Sequence, residues 1–460
     1  MSLKPSISKG TKDYLPDDLG KRNYLKKILR ETFEVFGFLP IETPSFERSE
    51  TLIGKYGEDG DRLIFKILNS GDKLKKADIE SFNEEDMSRF SNSLSEKALR
   101  YDLTVPLARF VSQHRNEISF PFRRYQMQNV WRADRPQKGR FQEFLQCDVD
   151  ILGNRSIIQE VEIILMCEHI FSKLNLKNIS INLNHRKILE GIAILIGAKD
   201  KFLKLTSSLD KLEKIGKDGV VKELRSYGFN KKSIDSLTPF IDLKGNFKSK
   251  IDFLSSRLKE VKVANEGLDE LSSIHDKITK YKLNSISVNF DITLARGLDY
   301  YTGLILEVLP AKDEFDFGSI AGGGRYDNLT DFFGLKETSG FGISFGFDRI
   351  CLILEKLELF PKDLLKSSKI MFVNFDDHIT EDCLQKIVRL REKDIPCEIY
   401  PTKSKLKKQL DYANQRKIPF VVMIGPDEFS KKEFIIKDME KGTQSVFKTI
   451  NLIDEIIKLI

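Results

Sequence analysis

Apolar side chains recur along the chain at two different spacings, and each spacing predicts a different secondary structure. Residues 21–36 carry an apolar residue every three or four positions, which predicts an amphipathic helix. Residues 119–132 and 141–152 instead alternate polar and apolar positions, which predicts two β-strands. The Pro-Gln-Lys-Gly sequence at 136–139 lies between them and is typical of a turn. The first part of the chain is therefore expected to contain a helix and a long antiparallel hairpin.

Helical spacing returns over residues 186–280, where Lys, Leu, Ser and Asp dominate and strand signals are few. We interpret this region as a helical insertion. Strand-like segments follow it at residues 286–290, 298–309, 317–324 and 340–346, and residues 347–357 predict a closing helix.

The last part of the chain, residues 369–460, alternates predicted strands and helices, which indicates a small α/β domain of its own. The predicted fold class is therefore α/β (α+β). The expected boundaries are 1–185 and 282–360 for two parts of one domain, 186–281 for its helical insertion and 369–460 for the α/β domain. Within the first part, residues 70–97 are rich in Ser, Lys and Glu and are expected to be exposed.

Composition excludes several classes of protein. A chain of 460 residues is too long for one ordinary core, and its net charge of +6 is too mild to be diagnostic of nucleic-acid binding. The five cysteines are odd in number and contain no CxxC, so neither a disulfide framework nor a zinc ribbon is indicated, and no metal ligands are predicted. No segment is apolar enough for a membrane span, and we expect a cytoplasmic protein.

The predicted hairpin has one unusually polar face. Alternation places the side chains of Gln146, Asp148 and Asp150 together on the returning strand. The outgoing strand adds a matching set of polar side chains on one face, Arg124, Gln126, Gln128 and Arg132. A solvated outer face would explain this pattern, but a floor for a zwitterionic ligand with phosphate would explain it as well.

Arginines recur in four segments that each end or follow a predicted strand, Arg132, Arg296, Arg325 and Arg349. Several guanidinium groups in one pocket would fit a polyanion, and ATP is the obvious candidate. Arg349 lies in the first turn of a predicted helix, where a cation opposes the helix dipole at a cost of about 0.3–1 kcal/mol. A polyphosphate bound at that helix end would reverse the balance.

Two glycine-rich strands, residues 321–326 and 340–346, are predicted close to these arginines. Gly342, Ser344 and Gly346 alternate onto one face of small residues, which would suit a nucleotide lying flat on the backbone. A bulge or a tight contact between strands is the simpler explanation for either segment alone. No P-loop and no GxGxxG motif that opens a βαβ unit occur.

The order of these motifs resembles that of the class II aminoacyl-tRNA synthetases, whose three motifs match a segment ending at Pro44, a hairpin with Arg132 and a strand–helix unit with Arg349. Arg296–Gly303 (RGLDYYTG) and Ala321–Asp327 (AGGGRYD) resemble the two signatures of the histidyl-tRNA synthetase family, and residues 132–140 resemble its motif 2 loop. The resemblance covers nearly the whole chain. It implies an antiparallel-sheet catalytic domain with a helical insertion, and an anticodon-binding domain at 369–460.

The resemblance also implies roles for individual residues. Arg132 would bind the α-phosphate of ATP, Arg349 its γ-phosphate, and Arg296 would stabilise the transition state at the α-phosphate, which makes these three the expected catalytic residues. The implied ATP-binding set is Arg132, Arg349, Gly342, Ser344 and Gly346. ATP and Mg²⁺ are the expected cofactors.

The implied histidine-binding set is Asp102, Thr104, Gln146, Asp150, Arg296, Tyr300, Tyr301, Gly322 and Gly323. Asp102, Thr104 and Gln146 would hold the α-ammonium and carboxylate groups. Asp150 and Tyr301 would bond the two imidazole nitrogens. Many family members have Glu in place of Asp102 and Asp150, and the Asp pattern here resembles eukaryotic-type members.

The implied activity is ATP-dependent ligation of L-histidine to tRNA(His) through a histidyl-adenylate, by a homodimer. The implied tRNA-binding residues are Gln137, Lys138 and Arg140 in the motif 2 loop and Lys403, Lys405, Lys407 and Lys408 in the last domain. Lysines on a solvated helix face would explain the second group equally well.

Two other functions stay open at this point. A catalytically silent relative that activates ATP phosphoribosyltransferase would share the core, although such proteins tend to lose the histidine signatures and the anticodon domain. A class II synthetase for threonine or proline is the other alternative, and the RGLDYYTG sequence disfavours it. A class I enzyme is disfavoured because its signature motifs do not occur.

Overall fold

The computed structural model describes residues 4–137, 139–295, 300–311, 318–362, 364 and 368–459, and the side chains of residues 58 and 59 lie outside the description. The chain separates into two compact units, Met1–Phe360 and Pro361–Ile460, which are described separately below. A search of the described residues found no helix with the length and apolar character needed to cross a membrane.

The described strands form three sheets. They are β1 Leu39–Pro40, β2 Phe46–Arg48, β3 Lys66–Ile67, β4 Lys97–Leu99, β5 Phe122–Trp131, β6 Glu143–Leu152, β7 Ile179–His185, β8 Ile286–Phe290, β9 Leu304–Leu309, β10 Ala321–Tyr326, β11 Gly340–Gly346, β12 Ile370–Phe372, β13 Cys397–Ile399, β14 Phe420–Met423, β15 Glu433–Asp438 and β16 Gln444–Lys448. The first unit contains an eight-stranded sheet of order β1-β5-β6-β11-β10-β9-β7-β8 and a small β2-β4-β3 sheet, and the second contains β13-β12-β14-β15-β16. In the large sheet β1 pairs with β5 in parallel, and β7 pairs with β8 in parallel. The neighbouring strands in the series β5-β6-β11-β10-β9-β7 all pair antiparallel.

The described helices surround these sheets. They are α1 Pro16–Val35, α2 Ser49–Leu52, α3 Gly57–Asp61, α4 Ile79–Asn83, α5 Met87–Ser93, α6 Thr104–Gln113, α7 Ile158–Lys173, α8 Arg186–Leu195, α9 Phe202–Leu209, α10 Leu212–Ser226, α11 Lys231–Ile241, α12 Phe247–Leu258, α13 Lys262–Ile278, α14 Phe347–Lys356, α15 Asp377–Arg391, α16 Leu406–Gln415, α17 Pro426–Lys431 and α18 Leu452–Leu459. Residues 186–278 are thus mostly helical, from α8 to α13, and lie between the strands β7 and β8.

The large sheet has one apolar face, and α1 and α7 cover it. Leu25, Leu29 and Phe33 of α1 are fully buried, and the Phe33 ring lies 5.9 Å from that of Phe345 in β11. Each large side chain buried in this way contributes about 1.5–3 kcal/mol of hydrophobic free energy. Because strand residues alternate, burying this face leaves the other face of the same strands to carry the polar positions.

Arg100 fastens the segment before β2 to the sheet. It is 2% exposed, and its guanidinium donates to the carbonyls of Thr43, Pro44 and Asn129 at 2.7–3.1 Å. Burial lowers the pKa of Arg100 to about 10. The predicted proline motif is therefore held at the β1 edge of the sheet by one buried cation with several acceptors.

The structure differs from the predicted elements in three places. The strand predicted at 317–324 is β10, which begins at Ala321, and the strand predicted at 298–309 is described only as β9, which begins at Leu304. Residues 70–97 are mostly exposed, as expected, and contain short helices and part of the small sheet. The last unit adds β15 and β16.

Candidate active site

The polar face predicted for the hairpin extends across the centre of the large sheet. The register pairs Arg124 with Asp150 and Gln126 with Asp148, and on the other side Asp150 with Gly342 and Asp148 with Ser344. The face continues onto β10 through the pairs Gly342 with Gly324 and Ser344 with Gly322. Carboxylates from β6 therefore lie between an arginine on one side and a floor of glycine and serine on the other.

Asp150 is a fixed part of this face. Its Oδ2 lies 2.6 Å from Nη2 of Arg124, and its Oδ1 accepts a hydrogen bond from the Tyr326 hydroxyl at 2.7 Å. A Cβ atom on Gly342 would lie 1.9 Å from Oδ1 of Asp150. Gly342 thus makes room for the Asp150 carboxylate, and it is not an open part of the nucleotide floor. Burial is the main cause that raises the pKa of Asp150, and Arg124 opposes it.

Asp102 approaches the same face from the start of α6. It is 2% exposed and accepts hydrogen bonds at Oδ1 from the Tyr56 hydroxyl, at 2.8 Å, and from the Val105 amide, at 3.1 Å. Its Oδ2 is buried and has no hydrogen-bond partner among the described residues. Burial raises the pKa of Asp102, while the bond from Tyr56 opposes the rise. One oxygen is therefore anchored and the other is available to a ligand.

Gln146 and Asp148 supply two more acceptors of this kind. Gln146 donates from Nε2 to the Ser344 hydroxyl at 2.9 Å, but its buried Oε1 has no partner within the described part of the chain. The same holds for the buried Oδ1 of Asp148. Burial is the main cause that raises the pKa of Asp148 to about 7, while Arg124 opposes the rise and Asp150 adds to it.

The tyrosines of the RGLDYYTG signature lie beside these carboxylates. The rings of Tyr300 and Tyr301 are 5.0 Å apart, and a Cβ atom on Gly324 would lie 2.9 Å from the Tyr301 ring. Burial raises the pKa of Tyr301, and the charges of Asp150, Asp148 and Asp102 add to the rise. Its hydroxyl therefore stays protonated and able to donate. Burial also raises the pKa of Tyr300, and the charge of Asp102 adds to the rise, so Tyr300 lies in the same buried surroundings.

The glycines of β10 differ in their surroundings. A Cβ atom on Gly322 would meet only the Leu306 carbonyl, at 3.6 Å, so Gly322 remains open floor, whereas a Cβ atom on Gly346 would lie 3.2 Å from the Ile320 carbonyl oxygen. Gly323 was expected in the histidine site, and strand alternation directs its Cβ position to the opposite face, so only its backbone could serve that role. There a Cβ atom would lie 2.1 Å from the Gly342 carbonyl oxygen, so the strands require glycine at this position.

Arg132 and Arg349 frame the floor. Arg132 follows β5, donates from Nε to the Tyr101 carbonyl at 3.0 Å and lies over the Tyr101 ring at 4.3 Å. Arg349 lies in the first turn of α14, as predicted, and donates to the Ser319 carbonyl at 2.5 Å. Gly346, at the floor, directly precedes that helix.

Arg325 does not belong to this pocket, contrary to the prediction that it shares a site with the other arginines. It lies on the opposite face of β10, where its guanidinium donates to Glu160 from Nε at 2.7 Å and to the Ser339 hydroxyl at 2.7 Å. Both Arg325 and Glu160 are buried. Its position next to Gly324 turns its side chain away from the pocket, since neighbouring residues in a strand face opposite ways.

Two expected site residues, Arg296 and Lys138, lie outside the described residues, and their roles stay predictions. The backbone just before Arg296 is described, and the buried Asn184 side chain donates to the carbonyls of Ile292 and Leu294 at 3.0 and 2.8 Å. In the motif 2 loop, Gln137 pairs with Arg140 in a β-bridge.

The expected tRNA-binding cations are on the surface. Arg140 is exposed and forms two hydrogen bonds to Asp134, at 3.0 and 3.1 Å, so part of its charge is already balanced. In the second unit the exposed lysines are Lys403 and Lys405 before α16 and Lys407 and Lys408 in its first turn. Lys403 lies 3.7 Å from Asp376.

Three residues of the site were missed or left without a role at the sequence level. Tyr56 carries no local signal, because only the fold brings it to Asp102. Tyr326 lies in the quoted AGGGRYD motif, and its spacing of two from Gly324 on a strand could have placed it on the pocket face. Arg124 lies on the predicted polar face, but its pairing with Asp150 follows from the register of the hairpin.

The buried acceptor oxygens of the pocket suit a cation with several N–H groups rather than a bare metal ion. Among the described residues, no group of three or more His, Cys, Asp or Glu side chains could hold a metal. Mg²⁺ commonly uses one or two carboxylates together with substrate phosphates, which fits an ion that arrives with ATP.

Comparisons with known proteins agree on one family. A family model described as Histidyl-tRNA synthetase matches residues 78–350, and one described as Anticodon binding domain matches residues 369–459. The histidine–tRNA ligase of Christiangramia forsetii is 51% identical over 445 residues, 97% of each chain. That of Flavobacterium johnsoniae is 47% identical over 462 residues, covering 96% of this chain and 97% of the relative. The crystal structure of histidyl-tRNA synthetase from Nostoc sp. PCC 7120 matches with a TM-score of 0.78 and 28% identity, covering 100% of both chains.

Proposed function

The chain belongs to the histidyl-tRNA synthetase family, and we propose on that premise that it ligates L-histidine to the 3′ end of tRNA(His) through a histidyl-adenylate. The observation that carries the proposal to particular residues is that three buried acceptors of the pocket receive no hydrogen bond from the described residues, Oδ2 of Asp102, Oε1 of Gln146 and Oδ1 of Asp148. An acceptor left unpaired in this way costs about 1–3 kcal/mol. A substrate with several N–H donors would remove that cost.

The amino-acid end of histidine fits the α6 side of the pocket. Its α-ammonium would donate to Asp102 and Gln146, whose anchored atoms fix the direction of the free ones. Thr104 adds a hydroxyl at the same end. The imidazole would lie toward Asp150 and Tyr301, with Tyr301 as the donor to one ring nitrogen. Asp102 and Asp150 are held by Tyr56 and Tyr326, so the shorter Asp side chains have fixed positions for this task.

ATP would lie on the floor of Gly322, Ser344 and Gly346, with its phosphates between Arg132 and Arg349. The N-terminus of α14 adds a partial positive charge next to Arg349, which favours a phosphate there. Mg²⁺ would be carried in by the ATP phosphates and would neutralise part of their charge. Arg296, two residues beyond the backbone that Asn184 holds, would reach the α-phosphate.

The first chemical step is an in-line displacement at the α-phosphorus. A carboxylate oxygen of histidine forms the new P–O bond while the bond to pyrophosphate breaks. In the second step the ribose hydroxyl attacks the acyl carbon, and AMP leaves with the electrons of the acyl–oxygen bond. Both steps depend on positioning and on neutralising phosphate charge, so the chain needs no nucleophile of its own.

Histidine-dependent exchange of pyrophosphate into ATP tests the proposal directly. We expect exchange with histidine and none with threonine or proline, because the unmade hydrogen bonds of a wrong side chain are costly in a buried polar pocket. Aminoacylation of tRNA(His) transcript then tests the second step. Failure of exchange with all twenty amino acids would reject the proposal and favour the regulatory relative of ATP phosphoribosyltransferase.

The assembly and surroundings of the enzyme stay predictions. A homodimer is expected from the motif that ends at Pro44, and the exposed side chains of Leu39 and Phe46 near it are apolar surface that a second subunit could cover. Sedimentation that gives a monomer at micromolar protein would contradict this expectation. The α16 lysines are the expected contact of the anticodon-binding unit with tRNA phosphates. A cytoplasmic location is likewise still an expectation.

A further inference from the structure

The segment before α1 contacts the end of the β5–β6 hairpin that carries Arg132. The Gln142 amide donates to the Gly10 carbonyl at 2.8 Å, and the Gln142 carbonyl accepts from the Arg132 amide at 2.9 Å. A Cβ atom on Gly10 would lie 2.6 Å from Cγ of Gln142, and the φ of Gly10 is +84°, so this close contact favours glycine. Residues 8–14, called the N-terminal strap below, are thus fastened to the base of the motif 2 loop.

The other end of the strap contacts the start of α14. The Tyr14 hydroxyl lies 3.5 Å from Oδ1 of Asp348, and Nη1 of Arg22 donates to the same oxygen. The Arg22 guanidinium carbon lies 4.1 Å from the centroid of the Tyr14 ring. Burial raises the pKa of Tyr14 to about 12, and the charge of Asp348 adds to the rise, so the hydroxyl stays protonated. Asp348 lies in the first turn of α14 and directly precedes Arg349, so the strap meets this helix beside the second arginine that frames the floor.

The contacts of the strap lie beyond the last pair between the two central strands. The pairing of β6 with β11 ends at Gln146 with Gly346, whereas the hairpin continues past that pair to Arg132. Gly10 and Tyr14 are four residues apart, so the backbone between them can span about 14 Å at most. The strap therefore limits how far the end of the hairpin can separate from the start of α14.

We infer that the N-terminal strap holds Arg132 and Arg349 at the spacing that the phosphates of ATP require, with Gly10 and Arg22 as positioning residues. The inference rests on the proposed function and deepens it, because it gives a role in ATP binding to a segment that precedes α1. Two guanidinium groups that share one polyphosphate depend on their mutual position, and a misplacement of about 1 Å can cost about 100-fold in rate.

Gly10→Ala and Arg22→Met loosen the strap at opposite ends, and ATP–pyrophosphate exchange with histidine, catalysed by the full chain, measures the result. Each variant should raise the KM for ATP about tenfold and leave the KM for histidine within about twofold. Arg22→Lys keeps a cation opposite Asp348 and should recover part of the affinity for ATP.

The double variant Gly10→Ala with Arg22→Met distinguishes one connecting segment from two local effects. Gly10 contacts Gln142 and Arg22 contacts Asp348, so independent local effects would multiply to about 100-fold in the KM for ATP. If both substitutions break the same connection, the second adds little, and we expect a rise of about 10–20-fold.

Gly197→Ala and Arg30→Met are the matched controls. The φ of Gly197 is +69°, and a Cβ atom there would meet none of the described residues within 4 Å, so alanine adds the backbone strain without the contact. Arg30 is exposed on α1. Both controls should leave the KM for ATP within about twofold of the wild type. A thermal melt of each variant sets an assay temperature at which it is folded.

Three results would overturn the inference. They are an unchanged KM for ATP in both folded single variants, a KM for histidine that rises as much as that for ATP, and single effects that multiply in the double variant. Each would leave the proposed function standing, because wild-type exchange with histidine is measured in the same series. Absence of that wild-type exchange would instead reject the proposed function itself.

Discussion

Arg124 and Arg325 are both buried in the central sheet of the first unit, one on each face, and they differ in how their surroundings are satisfied. Arg325 donates to Glu160 and Ser339 and lies near backbone carbonyls of Asn154 and Ser156 at 3.4 Å. Arg124 pairs with Asp150 in a region where several buried acceptors have no donor within the described residues. Every nitrogen of the Arg325 guanidinium therefore has an acceptor, although Oε2 of Glu160 has no hydrogen-bond partner among the described residues. Nε and Nη2 of Arg124, in contrast, have no hydrogen-bond partner there.

The difference separates structural charge from functional charge. A buried guanidinium whose donors are all used has none left for a ligand, and its removal chiefly affects folding. A buried cluster in which several donors and acceptors are unused is costly until a ligand supplies partners, as expected of a binding site. The two faces of one sheet thus carry the same residue types for different purposes, and mutations should distinguish them.

The largest expected effect is on stability and concerns Arg325. Arg325→Met leaves Glu160 buried without its cation and should lower the free energy of unfolding by about 3–5 kcal/mol. Urea unfolding followed by the fluorescence of Trp131, the single tryptophan, reports on this unit alone. At a temperature where the variant is folded, its KM for histidine should match that of the wild type.

The double variant Arg325→Met with Glu160→Met is the control for this prediction. It removes both charges, and replacing a buried pair by apolar residues is often neutral or stabilising. It should therefore recover most of the lost stability. A folded Arg325→Met protein that had lost histidine binding would contradict the division between the faces.

These two arginines also mark how far the sequence alone could predict the site. Strand alternation places Gln146, Asp148 and Asp150 on one face, because a period of two needs no knowledge of distant contacts. The same rule applied to residues 321–326 separates Gly322 from Gly323 and turns Arg325 away from the pocket. Membership in a motif led to the prediction that Gly323 and Arg325 belong to the site. A motif does not state which of its residues bind a ligand and which stabilise the fold.

Other parts of the site depend on contacts between distant parts of the chain. Glu160 lies 165 residues from Arg325, and Asp150 lies 176 residues from Tyr326. Neither partner can be chosen from composition or spacing. The fold class and the order of motifs were predictable because hydrophobic periodicity and signature sequences are local, whereas the satisfaction of a buried carboxylate is a property of the assembled sheet.

The second prediction concerns Arg349, which is proposed to bind the phosphates of ATP. Arg349→Ala should lower kcat for ATP–pyrophosphate exchange by about 10²–10³-fold, the usual loss when one preorganised group that stabilises transition-state charge is removed. Stability should change much less than in Arg325→Met, because a cation in the first turn of α14 opposes the helix dipole. Arg349→Lys keeps the charge and should recover part of the rate. Loss of stability comparable with that of Arg325→Met would place Arg349 with the structural arginines.

The third prediction concerns Tyr326, whose hydroxyl holds Asp150 in the pocket. Tyr326→Phe removes the donor to Oδ1 of Asp150 and should raise the KM for histidine by about tenfold, since a hydrogen bond to a charged group is lost. The KM for ATP should not change. Tyr412→Phe, at a partly buried tyrosine in the second unit, is a matched control. A change in the KM for ATP alone would show that Tyr326 does not act on the amino-acid site.

The smallest effect is a pH dependence of stability at Asp148, measured without ligands. The groups that act on it are Arg124, Asp150, Asp102 and the Ser344 hydroxyl, and burial raises its pKa to about 7 from 3.8. A folded pKa above the unfolded one means that folding favours the protonated form. The stability that Asp148 contributes is therefore present below about pH 4 and is lost as the pH rises through 7. Asp148→Asn mimics the protonated form at every pH, so its melting temperature should match the wild type at low pH and exceed it at pH 8. Asp148→Asn should thus stabilise the empty protein, as expected of a site whose acceptors remain unpaired until the substrate binds. A variant less stable than the wild type at pH 8 would indicate that the Asp148 carboxylate is already satisfied in the empty protein.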